Sequence, residues 1–246
     1  MKIKLKNMKQ LTVLILLLSV CFTSYGQKFK VPDSIIKELE VKEFEYIRTA
    51  KIKYKVVYPK NYDESKQYPV LLGLSGGNAN DKIVNYCYYT LFKSHYFNNY
   101  ITILPLGPSG SALTDMDDNE INLLIKDIKE KESVTKNNWI LAGTSMGGLA
   151  AFNFAVAKPE LFEGIITFPG GIREQKVSEK WKNYKIVLAV SEKDDDDWKT
   201  LNESTKSKLT GKVKSIEVFT IEGEEHIISP EYDINKVYDV YFNIKK

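Results

Sequence analysis

The feature that most constrains this chain is the run Gly143-Thr144-Ser145-Met146-Gly147, read together with what flanks it. Before it, Trp139-Ile140-Leu141-Ala142 is apolar enough for a buried strand. After it, the segment from Gly148 to Ala157, rich in Ala, Leu and Phe, suits a helix. A strand that becomes a helix within a few residues needs a sharp turn, and the serine at its apex must take a strained backbone conformation. The two arms then pass so close that the residues two before and two after the serine must be small, a demand Gly143 and Gly147 meet. Such a turn pushes the Ser145 hydroxyl out of the sheet. It also aims the first amides of the new helix at any negative charge that develops beside it.

A serine hydroxyl is a weak nucleophile at neutral pH, so it needs a general base, and the base needs an orienting carboxylate. The chain holds two histidines. His95 precedes the serine in an aromatic stretch between Tyr88 and Phe97 and reads as helix surface or core edge. His226 follows it, in the loop Glu222-Gly223-Glu224-Glu225-His226, just after the strand-like run Ile216–Ile221. Between them, the apolar run Lys185–Val190 leads into Ser191-Glu192-Lys193-Asp194-Asp195-Asp196-Asp197-Trp198. Four consecutive aspartates leave Asp194 and Asp197 as candidates for the acid, the others reading as a solvated turn and the N-cap of a helix starting near Trp198. An oxyanion would be met by the amide of Met146 and by a second amide from the Gly pair that ends the strand-like segment Tyr68–Asn78. Gly77 is the first choice there, with Gly76 and Asn78 as alternatives.

Taken together, Tyr68–Gly77, Gly143–Pro159, Lys158–Ile166 and the loops of Asp194 and His226 resemble the α/β-hydrolase superfamily. Within it, the chain looks most similar to small secreted esterases of the phospholipase/carboxylesterase and feruloyl or acetylxylan esterase type. The resemblance runs from about Val41 to Lys246. It implies the chain order Ser, Asp, His, with the acid after the penultimate strand and the base after the last, and so favours Ser145, Asp194 and His226. Ser191-x-x-Asp194 looks like the G-x-x-D frequent in the family, whereas Ile165–Gly171 offers no carboxylate after the preceding strand. Ser75 stands where relatives often carry His, and Ser191 where they often carry Gly. The implied activity is hydrolysis of short-acyl carboxylic esters, on small molecules or esterified glycans, through an acyl-enzyme with no cofactor and no metal. An acyltransferase or small serine peptidase using the same triad, and a non-catalytic ligand-binding member of the fold, are the alternatives.

The coarse pattern predicts edge strands at Val41–Ile47 and Lys51–Tyr58, then alternating units. These are strand Val70–Leu74, a helix near Ile83–His95, strand Ile101–Pro105, helix Asn119–Lys131, strand Trp139–Gly143 and helix Gly148–Ala157. Strands Gly164–Phe168, Lys185–Val190 and Lys214–Ile221 follow, with a helix near Trp198–Leu209 and a last helix at Glu231–Phe242. Alternation of this kind predicts one α/β domain over residues 27–246, a mostly parallel sheet with helices on both faces. Only Pro169–Tyr184 joins the two strands between which relatives insert a lid, so no large lid domain is expected. Trp181, Tyr184 and Trp198 are candidate rim aromatics.

The first residues, with lysines at positions 2, 4, 6 and 9 and an apolar core Leu11–Phe22, have the form of a signal peptide ending at Gly26. That predicts a secreted or periplasmic protein with no stable membrane insertion after signal removal. Leu18-Ser19-Val20-Cys21 matches a lipoprotein box only weakly, and an uncleaved anchor is the other alternative. Removing residues 1–26 takes four lysines and no acid, leaving 31 basic against 32 acidic residues, so the formal charge of +3 becomes −1. Nothing in that balance calls for a nucleic-acid partner. Cys87 is then the one remaining cysteine, so no internal disulfide can form.

Overall fold

The computed structural model describes residues 40–43 and 52–243. The expected signal segment 1–26, and the expected first strand beyond Glu43, lie outside the described residues. Eight strands form one sheet among the described residues: β1 (Glu40–Glu43), β2 (Lys53–Val57), β3 (Val70–Leu74), β4 (Ile101–Pro105), β5 (Trp139–Gly143), β6 (Phe162–Thr167), β7 (Lys185–Ser191) and β8 (Ser215–Ile221). Their order is β1-β2-β4-β3-β5-β6-β7-β8. The β1–β2 and β2–β4 pairs are antiparallel, and every pair from β4 to β8 is parallel.

Every residue of β3, β4 and β5 is buried. That is why these strands read as continuous apolar runs rather than alternating ones: both of their faces are covered. The covering helices are α1 (Asp81–Cys87), α2 (Asp118–Lys131), α3 (Met146–Ala157), α4 (Asp196–Leu209) and α5 (Asn235–Asn243). On one face α5 packs against the segment after α1, where Tyr238 donates its hydroxyl proton to the Leu91 carbonyl and meets Phe97 edge to face. On the other, α3 packs with α2 and, through Leu149 against Trp198, with α4. Helix α2 shows how local chemistry fixes an element. Asp117 and Glu120 form a reciprocal capping box, lysines 129 and 131 close the last turn, and Ile121, Leu124, Ile125 and Ile128 supply one buried stripe.

The chain leaves β3 toward β4 on one side, then crosses back to β5 on the other. The carboxyl ends of β3 and β5 therefore open a crevice between neighbouring strands whose connections diverge, the place where open parallel sheets bind ligands. Ser75–Gly77 leave β3 at this point and Ser145 leaves β5 there. With β2 alone running against the other seven strands and helices on both faces, the sheet and its helices have the α/β-hydrolase fold.

Three expectations are corrected in detail. The helix anticipated over Ile83–His95 ends at Cys87, continues as a π-turn over Tyr88–Phe92 and resumes as a short 3-10 turn at His95–Phe97. The Thr90 hydroxyl bonds back to the Tyr86 carbonyl, and the Lys93 amide reaches the Tyr88 carbonyl five residues back at 2.7 Å. The last helix starts at Asn235 rather than Glu231, because Asp233 caps it by accepting from the Asn235 amide at 3.1 Å. Trp181 and Tyr184 are not rim residues: they are 0% and 1% exposed. The indole donates to the Ala155 carbonyl at 3.1 Å and the phenol to the Pro159 carbonyl at 2.9 Å, so both rings pin the connection after β6 to the end of α3.

Candidate active site

The β5–α3 turn is built as its glycines require. Ser145 has φ 54° and ψ −120°, outside the regions an L-residue enters freely. Its conformation is held from several sides. The Ser145 amide donates to the Pro169 carbonyl at 2.9 Å, the Thr144 amide to the Leu74 carbonyl at 3.1 Å, and the Leu149 amide returns to the Ser145 carbonyl at 3.1 Å. A Cβ at position 143 would lie 2.3 Å from the Gly147 oxygen, and one at 147 would lie 2.0 Å from the Leu74 oxygen. Neither site accepts a side chain, so the two glycines are steric conditions for the turn.

Asp194 follows β7 in a turn closed by its own amide donating to the Ser191 carbonyl at 3.1 Å. Its side chain is fully buried, while Asp195, Asp196 and Asp197 are exposed. Of the two candidate acids, the structure brings Asp194 to the histidine and leaves Asp197 on the first turn of α4. The Asp194 Oδ1 accepts from the Asp195 amide at 2.9 Å and lies 2.9 Å from His226 Nδ1.

His226 sits on the loop after β8. That loop is tied to the β7 loop by the Lys193 amide donating to the Glu224 carbonyl (3.0 Å) and the Gly223 amide to the Glu192 carboxylate (2.8 Å). From the other face of the sheet, the Tyr86 hydroxyl holds the Ile228 carbonyl at 2.6 Å. The imidazole Nε2 lies 3.0 Å from Ser145 Oγ. A carboxylate only accepts, so Nδ1 carries the ring proton and Nε2 is left to accept from the serine. The imidazole is 31% exposed and the carboxylate 0%, so a substrate reaches the former and water does not reach the latter. Three residues from three loops thus form a Ser-His-Asp arrangement, whose geometry supports a serine-hydrolase type of enzyme. His95, by contrast, is exposed ahead of β4, at the opposite end of the strands, its ring tilted against Tyr96.

The remaining predicted positions also lie at this crevice. Met146 is the first residue of α3. Gly77 is exposed with φ +54°, a left-handed conformation that favours glycine. Gly76 is buried, and a Cβ there would come within 3.2 Å of the Ser145 Cβ, so the backbone after β3 runs directly against the serine. Cys87 lies behind this loop: burial pushes its thiol up to about 11, opposed by a hydrogen bond from the Gly76 backbone. Trp198, the third rim candidate, stacks on His226, with ring centroids 5.4 Å apart and planes at 29°. The signal for it was its spacing, four residues past Asp194 on the helix that opens there. Among the described residues no group of three or more His, Cys, Asp or Glu is disposed to hold a metal, and no helix is long and apolar enough to cross a membrane.

Comparison with known proteins points the same way. The esterase family matches residues 118–226, a span that contains Ser145, Asp194 and His226. Among solved structures, a thermostable esterase is 21% identical with a TM-score of 0.61, covering 76% of this chain and 56% of that one. The ferulic acid esterase of the anaerobic fungus Anaeromyces mucronatus is 20% identical with a TM-score of 0.56, covering 80% and 90%. The fluorophosphonate-binding serine hydrolase F of Staphylococcus aureus is 13% identical with a TM-score of 0.60, covering 83% and 97%. At these identities the likeness is one of fold. No curated protein matches the chain.

Proposed function

We propose that this chain is an exported serine esterase acting on short-acyl carboxylic esters, with esterified glycans as the substrate class. Ser145 Oγ attacks the ester carbonyl while His226 Nε2 takes its proton. Asp194 holds the imidazole in the required tautomer and stabilises the imidazolium. The amides of Met146 and Gly77 receive the oxyanion. The imidazolium returns its proton to the leaving alcohol, and water, deprotonated by the same nitrogen, then frees the acid from Ser145.

The observation that carries this reading is the unbroken line Ser145 Oγ–His226 Nε2 at 3.0 Å and His226 Nδ1–Asp194 Oδ1 at 2.9 Å, set on a serine with positive φ. Gly77 is favoured over Gly76 as second oxyanion donor because it is exposed at the crevice with φ +54°, whereas Gly76 is buried. The short-acyl preference is supported by the shortness of the connection after β6, Pro169–Tyr184, whose Trp181 and Tyr184 are tied back to α3 and the residues just after it. The glycan-ester reading rests on the resemblance of Gly143–Pro159 and of the Asp194 and His226 loops to feruloyl and acetylxylan esterases. Export rests on the basic and apolar pattern of residues 1–26.

The test is kcat/KM across p-nitrophenyl esters, alongside a screen of acetylated and feruloylated glycans. In a deep acyl tunnel each buried methylene adds about 0.8 kcal/mol, or roughly a fourfold rise per carbon. An open site gives the best rates from acetyl to butyryl and a fall beyond. A steady rise from two to twelve acyl carbons would overturn the short-acyl reading.

A further inference from the structure

His226 is held at both of its nitrogens by bonds that lie in the plane of the ring near its edge. Such in-plane bonds resist small rotations about the Cβ–Cγ bond only weakly, so the ring gains from a support against its face. The ring comes from a loop, with no packing of its own element beneath it. What meets its face is Trp198, 5.4 Å away between centroids and inclined by 29°.

Trp198 is itself fixed. It is the third residue of α4, its amide donates to the Asp195 carbonyl at 3.1 Å, and its side chain is 9% exposed. The indole packs with Leu149 and Val190, and Met146 and Leu201 close around that cluster. This apolar group is separate from the main core and lies directly beneath the candidate site. One helix start therefore delivers both supports of the base: Asp194, just before it, takes the edge, and Trp198, one turn in, takes the face.

We infer that Trp198 is a positioning residue for His226 and stabilises its charged form during acyl transfer. The step it acts on is the one in which the Ser145 proton moves to Nε2. The ring becomes an imidazolium at that moment, and its positive charge lies over the negative face of an indole within the roughly 6 Å over which cation–π attraction operates. The indole transfers no proton. This inference rests on the assignment of Ser145 and His226 as nucleophile and base.

The test separates ring electronics from packing. Trp198→Phe keeps a ring, Trp198→Leu keeps apolar volume without one, and fluorinated tryptophan at position 198 keeps the shape while draining charge from the ring face. Turnover of p-nitrophenyl acetate and the second-order rate of fluorophosphonate inactivation are measured for each, with Ser145→Ala as the control for the underlying assignment. We expect Trp198→Leu to lower kcat about tenfold with KM within about twofold, Trp198→Phe to recover most of that loss, and successive fluorines to lower kcat stepwise with the melting temperature unchanged. The fluorinated series stands on its own if Trp198→Leu fails to fold. A kcat insensitive to fluorination, or a Trp198→Phe protein as slow as Trp198→Leu, overturns the role of the indole while leaving the esterase assignment intact. Persistent labelling of Ser145→Ala would instead remove the assignment on which it rests.

Discussion

The backbone at Ser145 can be tested as a store of strain by comparing Ser145→Gly with Ser145→Ala. Both substitutions delete Oγ and with it the 3.0 Å contact to His226, so that loss cancels between them. What remains is the conformation, φ 54° and ψ −120°. A residue with a Cβ held in such a region costs about 1–3 kcal/mol, and glycine enters it almost freely. Against this, glycine loosens the unfolded chain by about 0.4–1 kcal/mol relative to alanine. The glycine variant should thus be the more stable of the two by about 1–2 kcal/mol. For a domain of this size that corresponds to about 2–8 °C in melting temperature. Thermal and urea unfolding at pH 7 give the comparison, and neither variant should hydrolyse ester. An alanine variant as stable as the glycine one would mean that the turn stores no strain and that the serine's exposure has another cause.

Two further predictions follow from the surroundings of the site. Asp194→Asn should lower kcat about 10⁴-fold by selecting the wrong imidazole tautomer, whereas Asp197→Asn, at an exposed position on α4, should leave kcat within about twofold; steady-state kinetics with the reverse pattern would move the acid by three residues. Cys87, ordinarily near 9 and pushed by burial up to about 11, keeps its proton in the fold where the unfolded chain loses it, so its share of stability is intact below pH 9 and disappears as pH rises to about 11. Between pH 8 and 10.5, urea unfolding of the wild type should lose about 2 kcal/mol more than that of Cys87→Ala, and parallel losses would show that the thiol ionises without cost.

The turn around Ser145 was legible in the sequence because its demands are local. Backbone carbonyls of Gly147 and Leu74 occupy the space where a Cβ at 143 or 147 would go, and only glycine answers that. The parallel strands were legible for a similar reason, since burial on both faces leaves unbroken apolar runs. For the acid, the residues alone left Asp194 and Asp197 open because the aspartates are chemically identical; the family resemblance favoured Asp194, and the turn closed on Ser191 is what carries it inward. Trp181 and Tyr184 misled because each is an apolar ring with one polar atom, suited equally to a rim and to a core with a carbonyl nearby. What the sequence did not show for Trp198 was its stacking on His226, because that partner is far along the chain and the contact arises only when two loops meet.

The most direct measurement of the central claim is the intact mass of the protein after treatment with a fluorophosphonate, followed by peptide mapping. The account predicts one adduct per chain, located on Ser145, no adduct in Ser145→Ala, and slow labelling in a His226→Ala variant. An unlabelled wild type, or a Ser145→Ala protein labelled as fully as the wild type, would contradict it.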